Sequence, residues 1–293
     1  MPLAPAFETL TPRAWALPHG VQLHTVRAGR GQALVFIHGA MGDWRSWAPQ
    51  WPAFSAHFDC ISYSRRYSFP NQNTQPSPDH SALHEAQDLA LLMDAMGLRD
   101  AVLVGSSYGG FTALALAVQA PERVRAVVAV EPPMMKYAER SAAGLAAAKA
   151  FREQVIAPAN AAFARGEDAL AAQIMTGGIN GARDGVNRGV AMSRRLQNLP
   201  AMKMLALSSD EFPWLAPEAL AALPMPVLLL AGRQTQAVHR TIFENVCTAM
   251  PQALHHWIDG AGHGVTREQP ERFNQLVLDF LSRQGLGSPD GRS

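Results

Sequence analysis

Cysteine is scarce: Cys60 and Cys247 are the only two in 293 residues, too few for a disulfide framework. Cys60 sits in the apolar run "FDCISYS", where a small thiol packs like any other buried hydrophobe. There is no CxxC and no HExxH, so no metal site is expected. Neither sign of charge dominates, since 25 Lys and Arg stand against 24 Asp and Glu for a formal net charge of +1. Such a chain sets up no strong field toward nucleic acid or an anionic membrane. The short basic pairs Arg65-Arg66 and Arg194-Arg195 read as solvated turns or structural pairs. Long apolar runs are missing as well, and nothing approaches the roughly 18 residues a membrane span needs. The start "MPLAPAFETLTPRAWALPHG" lacks the basic-then-apolar pattern of a signal peptide. The expectation is a cytoplasmic protein without a cofactor, a monomer or homodimer, whose partner is a small molecule rather than nucleic acid or membrane.

Hydrophobic residues make up 48% of the chain and charged ones 17%, enough to bury a core without covalent staples. Short apolar runs rich in β-branched residues predict strands at Val21–Val26, Ala33–Ile37, Asp59–Ser64, Ala101–Val104, Val124–Val130, Val227–Leu230 and Ala253–Ile258. Helical patterns at His80–Met96, Gly110–Gln119, Val238–Met250 and Gln269–Arg283 alternate with the later ones. This alternation implies an α/β fold, with a mostly parallel sheet covered by helices on both faces. The runs "VLVG" and "VLLLAG" are continuously apolar, as strands buried on both faces are. From residue 133 to residue 223 the rhythm breaks. An Ala-rich helical stretch gives way to the Gly- and Asn-rich "TGGINGARDGVNRG". Residues 1–132 and 224–285 are therefore expected to form the core, 133–223 an inserted helical cap, and 286–293 a disordered tail.

The stretch "LVGSSYGG" holds two adjacent serines. The pattern G-x-S-x-G selects Ser107, flanked by Gly105 and Gly109; Ser106 has Val104 and Tyr108 at those positions. A serine on a sharp strand-to-helix turn projects at the carboxyl end of the sheet, and small neighbours let the backbone pass close by. "DAVLV" before it and "GFTALALAVQ" after it supply that strand and helix. A nucleophilic serine needs a base and an oxyanion hole. His263, in the glycine-rich "DGAGHGV" after the last strand, is the candidate base. The backbone amide of Tyr108, next to the nucleophile, is one candidate oxyanion donor. The loop "FIHGAMG" supplies the other, Ala40 first and Met41 next, with His38 bracing the loop. Trp44 and Trp47 either line a substrate pocket or pack as core beneath that loop.

In that order, "LVFIHGAMGDW", "VLVGSSYGG", "VRAVVAVEPP" and "GAGHGV" resemble the α/β-hydrolase family over nearly the whole chain, from about Val21 to Leu281. The resemblance implies an α/β-hydrolase fold and serine-type hydrolysis without a cofactor. It leaves the substrate open among esters, lactones, thioesters, amides and carbon–carbon bonds; an ester or lactone is the favoured reading. One family feature is missing. The acid that usually follows the strand "PVLLLAG" in a G-x-x-D pattern is replaced here by Gly232-Arg233-Gln234-Thr235, and threonine cannot act as a carboxylate. Glu131, at the end of the next strand after the nucleophile, is the leading substitute, a position some relatives also use. Asp210 or Glu211 in the cap is a further possibility, and Asp259 reads as strand-end structure. A triad decayed into a silent ligand receptor is the alternative of another class. Arg65 or Arg66 either holds a substrate carboxylate or braces the oxyanion loop, for example through Asp43.

Overall fold

The computed structural model describes residues 6–74, 80–181, 189–208 and 210–287. Eight strands form one sheet: β1 (Arg13–Ala16), β2 (Gln22–Gly29), β3 (Ala33–Ile37), β4 (Asp59–Tyr63), β5 (Ala101–Ser106), β6 (Val124–Val130), β7 (Val227–Gly232) and β8 (Leu254–Ile258). Their order is β1-β2-β4-β3-β5-β6-β7-β8. The β1–β2 and β2–β4 pairings are antiparallel and the others parallel. Each of the seven expected strands is present. The addition is β1, a four-residue antiparallel edge strand with no buried residue to mark it in the sequence.

Side-chain alternation sorts the central strands onto two cores. Val35, Ile37, Leu103 and Leu229 face one cluster, which the helices Ala82–Ala95, Tyr108–Gln119 and Ala237–Ala249 cover. Leu34, Phe36, Val102, Val104 and Leu228 face the other, under Trp51–Ser55 and Pro270–Arg283. With both faces covered, the strands are apolar throughout, and β3 and β7 are buried at every residue.

Among the described residues no strand occurs between β6 and β7. The helices Ala142–Phe151, Ala157–Ala164, Asp168–Asn180, Gly189–Gln197, Leu199–Leu207 and Pro217–Ala221 fill that interval. Ala159, Ala172, Met175, Met192 and Met202 give it a small core of its own, against which Met41 packs. The loosening expected from Thr176 onward is not found at Thr176–Asn180, where the helix runs on through two glycines. Gly178 is needed there: a Cβ on it would lie 2.2 Å from Val155 Cγ1. Residues 182–188 of that glycine-rich stretch lie outside the described residues. Of the tail expected to be disordered, Leu286 packs on the second core and its N–H donates to Leu281 O, while residues 288–293 lie outside the described residues.

Because β3, β5, β6, β7 and β8 run parallel, the loops that follow them share one edge of the sheet. In open parallel sheets that edge is where ligands bind.

Candidate active site

Ser107 joins β5 to the helix Tyr108–Gln119 with φ 53° and ψ −122°, a conformation costly for a residue with a side chain, on the order of 1–3 kcal/mol. The flanking glycines make the turn possible. A Cβ on Gly105 would come within 2.2 Å of Gly109 O, and one on Gly109 within 2.0 Å of Ile37 O. The Ser107 N–H is tied to Val130 O at 2.7 Å, so the turn is pinned to the end of β6.

The residue directly after Val130, Glu131, is also held at positive φ, 41°. Its backbone N–H donates to Leu230 O at 2.9 Å. Its buried carboxylate accepts from three donors: Gly232 N–H at 2.8 Å, the Thr235 hydroxyl at 2.7 Å, and His263 Nδ1 at 2.7 Å. The other imidazole nitrogen, His263 Nε2, lies 3.0 Å from Ser107 Oγ. With Nδ1 donating to the carboxylate, Nε2 is left as an acceptor for the serine hydroxyl. The three residues selected from the sequence thus form one hydrogen-bonded chain, and Thr235, at the position where the family's usual acid is missing, donates to the Glu131 carboxylate.

His263 reaches this point because the loops after β7 and β8 touch. A Cβ on Gly232 would lie 2.1 Å from Gly262 O, and Gln234 N–H donates to Ala261 O at 2.8 Å. His239 stacks on the His263 ring with centroids 4.2 Å apart. Burial, with the His263 charge adding to it, holds the His239 imidazole well below the usual histidine range and hence neutral. The ring on which His239 stacks lies in the loop after β8, far from it in the chain.

Glu131, His239 and His263 offer donor atoms within 4.8 Å of one another. Imidazole lone pairs lie in the ring plane, and two rings stacked at an interplanar angle of 24° do not aim them at one ion. The Glu131 and His263 atoms are moreover engaged with each other. The geometry therefore assigns no metal here.

The loop after β3 presses against the serine. A Cβ on Gly39 would stand 3.3 Å from Ser107 Cβ. Gly42 N–H donates to Gly39 O at 3.2 Å, closing a turn with Ala40 and Met41 at its centre, whose own N–H groups the turn does not use. The Tyr108 N–H, first in its helix, has no carbonyl one turn back to bond. His38 braces this loop, as expected. Its Nε2 accepts from Arg65 N–H at 3.0 Å, so Nδ1 carries the proton and donates to Gly39 O at 2.8 Å. Burial, reinforced by the Arg65 charge, pushes the His38 pKa down to about 3.

The expectations for the remaining site residues need correction. Arg65 does not line the cavity over Ser107. It is buried, pairs with Glu85 at 2.9 Å, lies over the Tyr108 ring and reaches Gly39 O at 3.4 Å. It braces the loop, but through Glu85 and Gly39 rather than Asp43, which is taken by Arg45 and by Asn198 Nδ2. Burial pushes the Glu85 carboxyl up, but Arg65 and His80 outweigh it and hold the pKa at about 2. Arg66 pairs with Asp88. Trp44 packs with Phe7 in the second core and does not line the cavity; Trp47 contributes to the wall but stacks on Phe36 at 4.7 Å. Asp210 pairs with Lys136, and Asp259 with Arg233. Burial pushes the Glu211 pKa up to about 7. None of these three carboxylates is the partner of His263 Nδ1, which is Glu131.

A cavity of about 340 Å³ opens over Ser107 and His263. The turn at residues 39–42 forms one wall. Asn180, Arg194, Arg195 and Asn198, from the helical interval between β6 and β7, form the other. Arg195, expected in a solvated turn or a structural pair, lies inside, its side chain almost wholly buried.

These features define a class. A model of the alpha/beta hydrolase family matches residues 34–276, and the chain belongs to that family. Carboxylesterase YbfK of Bacillus subtilis (strain 168) is 27% identical over 267 residues, covering 88% of this chain and 83% of that protein. The solved structure of carboxylesterase CesB (YbfK) from Bacillus subtilis has a TM-score of 0.69 at 22% identity, over 93% of this chain and 92% of that one. Est816, described as an N-acyl homoserine lactone degrading enzyme, has a TM-score of 0.72 at 20% identity, over 92% and 100%. At such identities the two solved structures speak for the fold. Among the described residues no helix is long and apolar enough to cross a membrane.

Proposed function

We propose that the protein is a serine hydrolase that cleaves a carboxylic ester or lactone through an acyl-enzyme on Ser107. The observation that carries this reading is the unbroken chain from Ser107 Oγ through His263 to Glu131, at 3.0 Å and 2.7 Å. His263 Nε2 takes the serine proton as Oγ attacks the carbonyl carbon. The carbonyl oxygen gains negative charge and is met by the N–H groups of Tyr108 and of Ala40 or Met41. Glu131 stabilises the imidazolium and keeps the proton on Nδ1. The tetrahedral intermediate collapses, His263 returns its proton to the leaving oxygen, and the alcohol departs. Water then repeats the sequence on the acyl-enzyme, releasing the acid and restoring Ser107. The names of YbfK and Est816 support an ester or a lactone as the substrate class.

A fluorophosphonate probe and a chromogenic short-chain ester test the reading together. Turnover of the ester, with peptide mapping that finds the label on Ser107, is the expected result. Label on Ser106, or an active preparation that takes none, removes the proposed nucleophile. A folded protein that neither turns over esters nor takes label favours the silent receptor.

A further inference from the structure

Arg195 is the feature of the cavity that the reaction above does not use. It lies on the helix Gly189–Gln197, on the same helical face as Met192 and, one turn on, Asn198; all three are buried. Its guanidinium carries five donors in a planar fork. Among the described residues it finds one acceptor, the Met41 thioether sulfur at 3.7 Å, and its Nε is buried with none. No described carboxylate lies within ion-pair distance of it. Burial, and after it the Arg267 charge, push its pKa down to about 10, which leaves it a cation at neutral pH.

The rest of the wall does not supply the missing charge. Among the described residues that line the cavity, Asp43 is the only carboxylate, and it is held by Arg45 and Asn198. Against it stand Arg45, Arg194, Arg195 and Arg267, so the space over Ser107 is cationic. Burying a cation without a counter-charge is costly unless something else supplies one. Met41 belongs to the turn that faces Ser107, and Arg195 lines the same cavity as Ser107 and His263.

We infer that Arg195 is the subsite for a carboxylate on the substrate, and that the ester or lactone cleaved at Ser107 is a small one bearing that group. A planar fork matches the two oxygens of a carboxylate, and one uncompensated guanidinium matches one negative charge. Arg267, at the rim, strengthens the attraction from a distance. The size of the cavity suits a ligand of few heavy atoms. The inference rests on the ester-hydrolase reading for its substrate, though not for the binding of the carboxylate itself.

The test compares carboxylate esters with their primary-amide counterparts, which match them in shape but carry no charge. One pair has the group on the acyl chain, as mono-4-nitrophenyl glutarate against the glutaramate ester. The other has it on the leaving group, as 3-carboxyphenyl against 3-carbamoylphenyl butyrate. On at least one side the carboxylate member is expected to have a kcat/KM at least about tenfold higher, with that ratio falling at least about tenfold in Arg195→Gln and less in Arg195→Lys. The preference should also shrink with added salt. Calorimetric titration of free glutarate into Ser107→Ala, with and without Arg195→Gln, reads the subsite independently of turnover. Glutarate binding that weakens about tenfold with the arginine removed supports the subsite even if no ester is cleaved. Should Arg195→Gln fail to fold, Arg195→Lys and Arg267→Gln must each lower the carboxylate preference. Amide counterparts cleaved as well as carboxylates on both sides, or glutarate binding indifferent to Arg195, overturns the inference.

Discussion

The ends of β6 and β7 are neighbours, paired in parallel with Val130 opposite Leu230. One carries the carboxylate of Glu131. The other carries a threonine where the family usually has its acid. Glu131 needs a positive φ to turn its side chain toward His263, whereas Thr235 sits on a turn closed by its own N–H to Gly232 O at 3.1 Å. Under the proposed function, what an acid must do is reach Nδ1 of His263, and the end of β6 reaches it as the end of β7 would. The vacated position is not idle, since the Thr235 hydroxyl and Gly232 N–H both donate to the carboxylate next door.

Removing the charge at the β6 end should have the largest effect. The aspartate-to-asparagine change in a serine triad lowers turnover about 10⁴-fold, so Glu131→Gln is expected to lose at least about a hundredfold in kcat. A folded Glu131→Gln within a few-fold of the parent would return the search to other acids. Next comes the contact that joins the two ends to His263. Gly232→Ala puts a methyl into the backbone of Gly262 and Ala261, and thermal melts should show a loss of about 1–3 kcal/mol along with reduced turnover. An alanine variant that melts and turns over like the parent would mean that the β7–β8 approach is looser than described.

The donor at the β7 end should matter less. Thr235→Val deletes one hydrogen bond to a charged acceptor, and kcat should fall about threefold to tenfold with KM little changed. No change would show that the hydroxyl is a bystander. Smallest of all, the carboxylates before β7 should leave catalysis within about twofold when Asp210→Asn and Glu211→Gln are assayed, because neither partners the imidazole. Glu211 should show itself in stability instead. Its folded pKa of about 7 lies above the usual carboxylate range. The penalty is therefore absent at low pH, grows as the pH rises through that range toward 7, and is complete above 7. It amounts to at most about 3.5 kcal/mol. Glu211→Gln should melt higher than the parent by a margin that is larger at pH 8 than at pH 5. A margin that is the same at both pH values would contradict the raised pKa.

Much of this was legible in the sequence because chemistry and backbone constraint coincide at the same letters. Gly105 and Gly109 fix which serine turns. The absence of an acid at Thr235 and the presence of one at Glu131 can both be read directly, as can the glycine-rich loop of His263. What stayed hidden depends on contacts between distant segments. Nothing near Arg65 in the chain names Glu85 as its partner, and nothing near His239 predicts the ring it stacks on. Trp44 and Trp47 could not be divided between core and cavity without knowing which face of the sheet their loop covers. Arg195 had a usable signal. Met192, Arg195 and Asn198 recur every three residues, the spacing of a buried helical face, and a pair of arginines need not be solvated when one of them lies on it.

If the acid has moved from the β7 end to the β6 end, one substitution should act oppositely in two backgrounds. Thr235→Asp in the parent sets a second carboxylate at hydrogen-bond distance from Glu131 Oε2, in place of a donor at 2.7 Å. Like charges that close cannot both stay ionised, so kcat should fall. In Glu131→Gln the same change meets an amide instead of a carboxylate and rebuilds the family's usual acid, so kcat should rise. The measurement is kcat on one ester for the parent, both single variants and the double variant, each checked by thermal melt. The account predicts opposite signs for Thr235→Asp in the two backgrounds. A change of the same sign in both, or none in either, would contradict it.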